Sequence, residues 1–342
     1  MLLAFFPYSV FDCWFLAPLA LILDLLLGDP PLPWPHPVVF QGRFLYRMEG
    51  RCRQILTLFP QSRLLPRLLG AFTLLALLLL TGFVLLFFLS IPFLGPLFAL
   101  YFSWAGLAMG SLLDTGRRVL WHIHYSPLKR ARRALSSLVS RDTRFMDRAL
   151  LEKTLADTVT ENFTDALTAP FFWLLLGGPV GLWLYKAVST GDSMWGYLTP
   201  KWRYLGFAFA RMDDVLAFIP ARLSILAIAF SDAFTSLFTP KSRSWAGHLP
   251  PLLALHKEAL GMPSPNSGCP MAAFAWLMQA KMAGPSVYFG TTVEKPWLGP
   301  KESFPWDAQR LSCLLSCMQR FALIGMLFLW AFSFLLIFFF RV

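Results

Sequence analysis

Three acidic side chains recur at equal intervals just before an apolar segment. Asp157, Glu161 and Asp165 stand four residues apart in the stretch LADTVTENFTDALTAPFFW. On an α-helix this spacing places all three on one face, where like charges repel by about 0.2–0.5 kcal/mol per pair. Two interpretations are open. The residues mark a solvated helix end, or they bind a magnesium ion or an amine, because hard cations take oxygen ligands.

A second group of charged residues lies inside an apolar segment. Arg211, Asp213, Asp214 and Arg222 all fall within residues 204–230. Each charge at the centre of a membrane span costs roughly 2.5–3.5 kcal/mol, so such residues face protein or water and not lipid. They form either an internal ion-pair network or part of a functional site.

Two further groups combine polar side chains with turn-forming residues. Lys186, Asp192 and Ser193 lie near the end of an apolar segment, where a lone lysine usually extends its ammonium group to water. Ser264 and Asn266 belong to the run SPNSGCP, which precedes small residues compatible with a helix. That run is either an ordinary loop and helix start or an anion site, because free N–H groups at a helix N-terminus bind phosphate or carboxylate.

Several familiar motifs are missing from the sequence. It contains no GxxxxGK[ST] loop, no GxGxxG after a strand and no HExxH pair. No motif therefore assigns a nucleotide-binding site.

The composition predicts a membrane protein. Of 342 residues, 56% are hydrophobic and only 14% are charged, and the mean hydropathy is +0.57, whereas soluble domains carry about 25% charged residues. The net charge of +11 is explained by basic loops retained on the cytoplasmic side. This explanation makes the lipid bilayer a partner and excludes nucleic acid.

Long apolar segments define the predicted architecture, an all-α polytopic membrane protein with four to six membrane-embedded segments. The apolar segments are 4–27, 68–89, 91–113, 166–188, 204–230 and 321–340. Segments 166–188 and 204–230 are ambiguous. The first contains several Gly and Pro residues and is either a span or a broken re-entrant pair. The second carries the four charged residues described above. A polar helical insert, 114–165, and a Pro-rich polar region, 231–320, complete a single predicted domain, 1–342.

An ordered series of motifs over nearly the whole chain resembles the CobD/CbiB family. The first are Leu23-Asp24, Gly28-Asp29-Pro30-Pro31, His36-Pro37-Val38, Gly42, Ala131-Arg132-Arg133-Ala134-Leu135 and Val139-Ser140-Arg141-Asp142-Thr143. Next come Glu161-Asn162, Asp165, Ala169-Pro170, Tyr185-Lys186-Ala187-Val188, Asp192-Ser193-Met194 and Gly196-Tyr197. The last are Ala210-Arg211-Met212-Asp213-Asp214, Pro220-Ala221-Arg222, Ser264-Pro265-Asn266-Ser267-Gly268, Gly284-Pro285 and Tyr288-Phe289-Gly290.

The resemblance implies an adenosylcobinamide-phosphate synthase of the bacterial cytoplasmic (inner) membrane. Such an enzyme joins (R)-1-aminopropan-2-ol or its O-phosphate to the free propionate of adenosylcobyric acid. It consumes ATP, needs magnesium and is expected to work beside other enzymes of late cobalamin assembly. The implied catalytic residues are Glu161, Asp165, Asp192, Asp213 and Asp214, with Glu161, Asp165 and Asp214 as magnesium ligands. The implied substrate-binding residues are His36, Arg141, Asp142, Asn162, Lys186, Ser193, Arg211, Arg222, Ser264 and Asn266.

Two alternatives without this catalytic activity remain open. An AmpE-like envelope or sensory membrane protein would lack the full motif series, and the intact GDPP, ENFTD and SPNSG blocks count against it. A corrinoid-binding scaffold would keep the pocket without needing the carboxylates, which are present here.

Overall fold

The structure is a computed structural model and describes residues 14–31, 35–59, 61–139, 141–238, 249–288 and 291–339. In the first half of the chain the helices are α1 (Leu16–Leu27), α2 (Pro37–Leu58), α3 (Leu64–Leu89), α4 (Gly95–Gly106), α5 (Met109–Tyr125), α6 (Leu128–Ser136) and α7 (Arg148–Glu161). A π-helical segment, Thr164–Thr168, precedes α8 (Ala169–Trp195), α9 (Phe207–Leu216), α10 (Phe218–Phe238), α11 (Leu252–Ala259) and α12 (Gly268–Met278). The strands β1 (Met282–Ala283), β2 (Ser286–Tyr288), β3 (Thr291–Val293) and β4 (Trp297–Leu298) precede α13 (Ala308–Phe339).

Five helical stretches of the described residues are long and apolar enough to cross a membrane. They are Leu64–Leu89, Gly95–Tyr125, Arg148–Trp195, Phe207–Phe238 and Ala308–Leu335. A span needs about 20 mainly apolar residues because each residue rises 1.5 Å through a core ~30 Å thick. The predicted all-α, multi-pass architecture is therefore confirmed.

The predicted apolar segments correspond closely to these helices, with one difference at the N-terminus. Residues 4–13 of the first segment lie outside the described part of the chain, and the remainder forms α1, a helix of only 12 residues. Motif positions Ser140, Phe289 and Gly290 also lie outside the described residues.

The ambiguous segment 166–188 contains a break inside α8. Gly177 and Gly178 leave helical geometry, and Gly178 adopts φ 58° and ψ −158°. That conformation is open mainly to glycine because it has no Cβ. Pro179 then starts the second piece without needing the N–H that a helix start leaves unpaired. The segment is thus two helical pieces that meet at a glycine pair.

The described residues divide into two compact units, each built from separate parts of the chain. Unit 1 contains residues 1–107 and 169–217, and unit 2 contains residues 108–168 and 218–342. The single domain predicted from the sequence stays a prediction.

In unit 1, α8 packs against α2, α3, α4 and α9. Its core includes Leu45, Leu77, Trp195 and Phe209. A Cβ on Gly191 would meet the ring of Phe209 at 2.0 Å, so a glycine is needed where α8 and α9 touch. This packing holds the polar residues at the end of α8 in place.

In unit 2, α12 is the most enclosed helix, since every residue except Trp276 is buried. It packs against α7, α10, α11 and α13. The pairs β1–β4 and β2–β3 are antiparallel and belong to two separate two-stranded sheets. Because the second pair is nested between the strands of the first, we call the whole segment the 282–298 hairpin. The predicted polar insert is helical, yet α7 is buried from Leu151 to Thr160 except at Lys153, because its polar side chains have partners inside the unit.

Candidate functional site

A buried carboxylate lies at the centre of the charged residues of unit 2. The side chain of Asp157, on α7, is 0% exposed and accepts hydrogen bonds from Arg141 Nη1 at 2.8 Å and Lys153 Nζ at 2.9 Å. The backbone N–H of Ala283, on β1, donates to its second oxygen at 2.9 Å. Burial of a carboxylate is tolerable only when it is paired and hydrogen-bonded. Asp157 is therefore an internal ion-pair centre, and the interpretation as a solvated helix end is wrong for this residue.

Glu161, at the end of α7, is the accessible carboxylate next to this centre. Its side chain is 36% exposed, and its Oε2 lies 3.9 Å from Arg141 Nη2. Lys295, from the 282–298 hairpin, and Asp165 also interact with it electrostatically. Glu161 is thus a half-buried carboxylate with a cationic neighbour that Asp157 holds in place.

The helix changes type directly after Glu161. Asn162 ends α7, donates its side-chain amide to the Thr158 carbonyl at 2.9 Å and is exposed. The π-helical segment that follows carries Asp165, and such segments are frequent at functional sites. Because the α-helical repeat stops at Glu161, the four-residue spacing to Asp165 no longer places the two carboxylates on one α-helical face.

Arg222 and Asn266 form a pair that joins α10 to the loop before α12. Arg222 Nη1 donates to Asn266 Oδ1 at 2.7 Å and to the Phe218 carbonyl at 3.0 Å, and its guanidinium lies 3.6 Å from the Phe218 ring centroid. Within the described part of the chain, the Nε and Nη2 atoms of Arg222 are buried without a hydrogen-bond partner. Buried N–H donors normally have an acceptor, so the guanidinium retains capacity for an anionic ligand.

The loop that holds Asn266 has a defined shape. Ser264 Oγ accepts hydrogen bonds from the backbone N–H groups of Asn266, at 3.3 Å, and Ser267, at 3.4 Å. A Cβ on Gly268 would come within 2.6 Å of the Ala259 carbonyl oxygen. The predicted helix start is therefore confirmed, with a glycine required by close contact between α11 and α12.

The elements that carry the two groups of unit 2 pack against one another. Helix α10, which carries Arg222, contacts both the π-helical segment and α12. Phe163 and Phe274 stack edge to face with ring centroids 5.4 Å apart, which fixes the end of α7 against α12. Helix α10, the π-helical segment, α7 and α12 are thus packed within one unit.

Asp142 is a predicted substrate-binding residue with a strong local partner. Arg144 donates to both of its carboxylate oxygens, at distances of 2.6–3.1 Å. These hydrogen bonds from the Arg144 side chain and backbone lower the pKa of Asp142 to about 2. The carboxylate stays charged at any physiological pH and holds the turn after Arg141.

In unit 1, His36 caps the first turn of α2. Its Nδ1 accepts the Val38 backbone N–H at 3.4 Å, and its Nε2 lies 2.9 Å from the Ala105 carbonyl oxygen. Both contacts are satisfied by the neutral ring with its proton on Nε2. Burial lowers the pKa of His36, and Lys186 adds to this, while Asp29 and the Ala105 carbonyl oppose it. A neutral, capping role fits this environment better than proton transfer.

We expect the lowered pKa of His36 to make the stability of the protein depend on pH. The folded protein binds this proton less tightly than the unfolded chain, so stability falls as pH drops below the unfolded value of about 6.5, through the lowered folded pKa. Melting temperatures in detergent between about pH 7.5 and about pH 5.5 measure this loss. His36→Gln removes the titrating ring and should flatten the dependence, and an equal slope in both proteins would contradict the assignment.

The other predicted residues of unit 1 lie near the C-terminal part of α8 and on α9. Lys186 and Asp192 are half-buried, and Ser193 is exposed. The Asp192 carboxylate lies so close to Gly196 that a Cβ there would meet Oδ1 at 1.9 Å. The glycine of this turn is therefore needed to leave room for the acidic side chain.

On α9, Arg211 and Asp214 form an ion pair with 3.7 Å between Nη1 and Oδ2. Arg211 is 70% exposed, whereas one carboxylate oxygen of Asp213 is buried. Exposed ion pairs typically contribute about 0.2–1 kcal/mol. The pair is too weak to explain the charges by stability alone.

Sequence reasoning missed two lysines of the site. Lys153 stands four residues before Asp157 on α7, a spacing that predicts an ion pair, and it could have been found that way. Lys295 could not, because only the hairpin brings it near Glu161. The role of Asp157 as a centre was also missed, since two of its partners lie 16 and 126 residues away.

The predicted magnesium ligands do not form a closed protein site. Among the described residues, no three His, Cys, Asp or Glu side chains group in a way that could hold a metal ion. Glu161 and Asp165 belong to unit 2, and Asp214 belongs to unit 1. A magnesium ion that arrives with phosphate needs only one or two carboxylates and keeps several waters. Glu161 and Asp165 are the two predicted ligands that share a unit, and they interact electrostatically.

Fold and site together define a helical, multi-pass membrane protein that keeps ionic and amide side chains inside its helical units. The family model described as CobD/Cbib protein matches residues 17–316. The chain belongs to the CobD/CbiB family.

Similar proteins cover almost the same length. A protein of Streptococcus sanguinis named cobalamin biosynthesis protein CobD is 32% identical over 90% of this chain and 94% of its own length. Proteins with the same name from Pelobacter propionicus and Klebsiella pneumoniae are 37% and 35% identical, over 85% and 82% of this chain and 87% and 85% of their own length. No solved structure matches the chain significantly.

Proposed function

We propose that the chain is a membrane-bound enzyme of cobalamin assembly that forms an amide. It would join (R)-1-aminopropan-2-ol or its O-phosphate to the free propionate of adenosylcobyric acid. Membership in the CobD/CbiB family and the names of its relatives support the pathway. The observation that carries the reaction type is an accessible carboxylate, Glu161, placed 3.9 Å from a buried arginine within the same unit as the Arg222–Asn266 pair.

Amide formation sets two chemical demands that these residues meet. The amine nitrogen must lose a proton as it attacks the activated acyl carbon, and a positioned carboxylate is a suitable base. Glu161 takes this role, with Asp165 beside it to bind the ammonium form of the incoming amine. Charge that develops on the substrate also needs fixed cationic or N–H donors.

Arg222 is the residue that we assign to the anionic part of a substrate. Its Nη1 is anchored by Asn266, so the rest of the guanidinium is held in a defined orientation. Ser264 shapes the loop, and Asn162 exposes an amide next to Glu161. Arg141 is engaged by Asp157 and only 5% exposed, so its predicted contact with a substrate anion stays a prediction.

The roles proposed for the residues of unit 1 rest on the family motifs alone. Lys186 and Arg211 would bind phosphate or corrin carboxylates, and Ser193 would orient substrate by hydrogen bonding. Asp192, Asp213 and Asp214 are proposed to hold an amine or magnesium–phosphate. His36 would support this group by fixing the start of α2, through its contacts to Val38 and Ala105.

ATP and magnesium are proposed as the source of activation. Magnesium would neutralise phosphate charge when bound, and Asp165 is the carboxylate of unit 2 that would hold it, because Glu161 in its role as base must keep its lone pairs available for the amine's proton. The residues of this chain then orient the propionate and exclude competing water. Placement in the bacterial cytoplasmic membrane and cooperation with other enzymes of late cobalamin assembly belong to the same proposal.

A reconstituted assay tests the proposed function. Purified protein in detergent or liposomes is incubated with adenosylcobyric acid, ATP, magnesium and either aminopropanol or its phosphate. We expect formation of adenosylcobinamide or its phosphate with release of ADP, and no product when the amine is omitted.

Binding measurements on the same sample separate the alternatives. Binding of adenosylcobyric acid without turnover would favour a corrinoid-binding scaffold over an enzyme. Neither binding nor turnover by well-folded protein would overturn the proposal and favour an AmpE-like envelope role.

A further inference from the structure

Asp157 and Lys153 together hold both backbone polar groups of one strained residue. Ala283 has φ 60°, the left-handed conformation that residues with a Cβ rarely adopt. Its N–H donates to Asp157 Oδ1 at 2.9 Å, and its carbonyl accepts from Lys153 Nζ. The Asp157 side chain is 0% exposed and that of Lys153 15%, so water has no access to the first and little to the second. Asp157 and Lys153 therefore fix the 282–298 hairpin at Ala283, and we call these two side chains the clamp.

This clamp determines where the 282–298 hairpin runs. Gly284 continues the turn with φ 73°, and a Cβ on it would meet the Trp297 ring at 2.7 Å. Trp297 in turn lies 5.1 Å from Lys153 Nζ, measured from the ring centroid. One end of the hairpin is thus fixed by three contacts to α7, and the Val287 carbonyl accepts the Asp142 N–H at 3.3 Å.

The same two α7 residues also act on the neighbours of Glu161. Asp157 binds Arg141, whose second amino group lies 3.9 Å from Glu161. The hairpin supplies Lys295, which interacts electrostatically with Glu161. Asp157 therefore holds one of the two cations beside Glu161 directly, and through Ala283 it holds the hairpin that carries the other.

We propose that Asp157 and Lys153 are positioning residues that set the catalytic geometry of Glu161 by fixing Arg141 and the 282–298 hairpin. This inference rests on the proposed function for its catalytic part. A base displaced by about 1 Å loses on the order of 10²-fold in rate. Binding of the corrinoid elsewhere should change little.

Matched variants separate positioning from general stability. Asp157→Asn removes the charge that holds Arg141, and Lys153→Met removes the donor to Ala283. Lys153→Arg keeps a cationic donor at the same place and serves as the conservative rescue. Asp114→Asn, which alters an exposed ion pair with Arg117 on α5, is the control.

Hydrogen exchange followed by mass spectrometry measures how firmly the hairpin is held. We expect peptides covering residues 282–298 to exchange about tenfold faster or more in Asp157→Asn and Lys153→Met, the factor that matches loss of one charge-assisted hydrogen bond. Exchange should stay at the wild-type rate in Asp114→Asn and return close to it in Lys153→Arg. Unchanged exchange in both disruptive variants would overturn the proposal, even if the protein forms no amide.

Kinetics test the link to Glu161. We expect kcat to fall by on the order of 10²-fold in Asp157→Asn, with KM for adenosylcobyric acid within about twofold of wild type. Lys153→Met should follow the same pattern and Lys153→Arg should restore kcat. Faster exchange with an unchanged kcat would overturn the catalytic part alone. A Lys153→Arg variant with a kcat as low as that of Lys153→Met would overturn the positioning role of the Lys153 charge.

Discussion

Replacing Glu161 with glutamine is expected to lower kcat for amide formation by about 10²–10⁴-fold, the contribution of a well-placed general base. Glutamine keeps the size of the side chain and removes both its charge and its basicity. Arg141 keeps its hydrogen bond to Asp157, so no buried cation is left without a partner. The loss should therefore appear in kcat at a normal protein level.

The measurement is initial rate against concentration of each substrate, with purified variant and wild type compared. Glu302→Gln is the matched control, because Glu302 is exposed and lies outside the proposed site. It should retain the wild-type kcat. A Glu161→Gln variant with wild-type turnover would remove Glu161 from the catalytic residues, and growth on cobyric acid of a strain dependent on this step gives an independent check.

Features that depend on local sequence were predicted well. The segments 68–89 and 321–340 are apolar throughout, and hydrophobicity alone determines that they form long helices, as α3 and α13 do. The break at Gly177 and Gly178 could also be predicted, because adjacent glycines followed by proline rarely continue a helix. What remained open was whether the two pieces formed a span or a re-entrant pair.

Features that depend on distant contacts were not predictable from pattern. The equal spacing of Asp157, Glu161 and Asp165 suggested three equivalent carboxylates, yet each has a different environment. Asp157 is enclosed by partners from two other segments, Glu161 is partly open, and Asp165 lies on a π-helical segment. Spacing describes one helix, whereas burial depends on what packs against it.

The division of the chain into two units was also not predictable from the sequence pattern. The chain passes from one unit to the other at residues 107–108, 168–169 and 217–218. Each of these points lies within or between adjoining helices. Helices continue through or meet at these points, so composition shows no linker there. Motif order indicated which residues belong to the family pattern, but it carried no information on which of them share a unit.

Arg222→Ala is expected to raise the KM of whichever substrate places its anionic group on the guanidinium. The loss of charge-assisted hydrogen bonds corresponds to ~1.5–3 kcal/mol, or about 10- to 150-fold in KM. If the group is the phosphate of the amine, the rise appears with aminopropanol phosphate and is absent with aminopropanol. If it is a carboxylate of the corrin, the KM of adenosylcobyric acid rises with either amine.

Two further variants show whether the orientation of Arg222 matters as well as its charge. Arg222→Lys keeps the charge but lacks the planar fork that binds phosphate and carboxylate through two parallel hydrogen bonds, so it should rescue only part of the loss. Asn266→Ala removes the acceptor at 2.7 Å that anchors Nη1 and should raise the same KM by a smaller factor. Arg133→Ala, at an exposed position on α6, should leave every KM unchanged. Equal KM values in Arg222→Ala and wild type for all substrates would show that this arginine binds none of them, and the Arg222–Asn266 pair would then serve only to join α10 to the loop before α12.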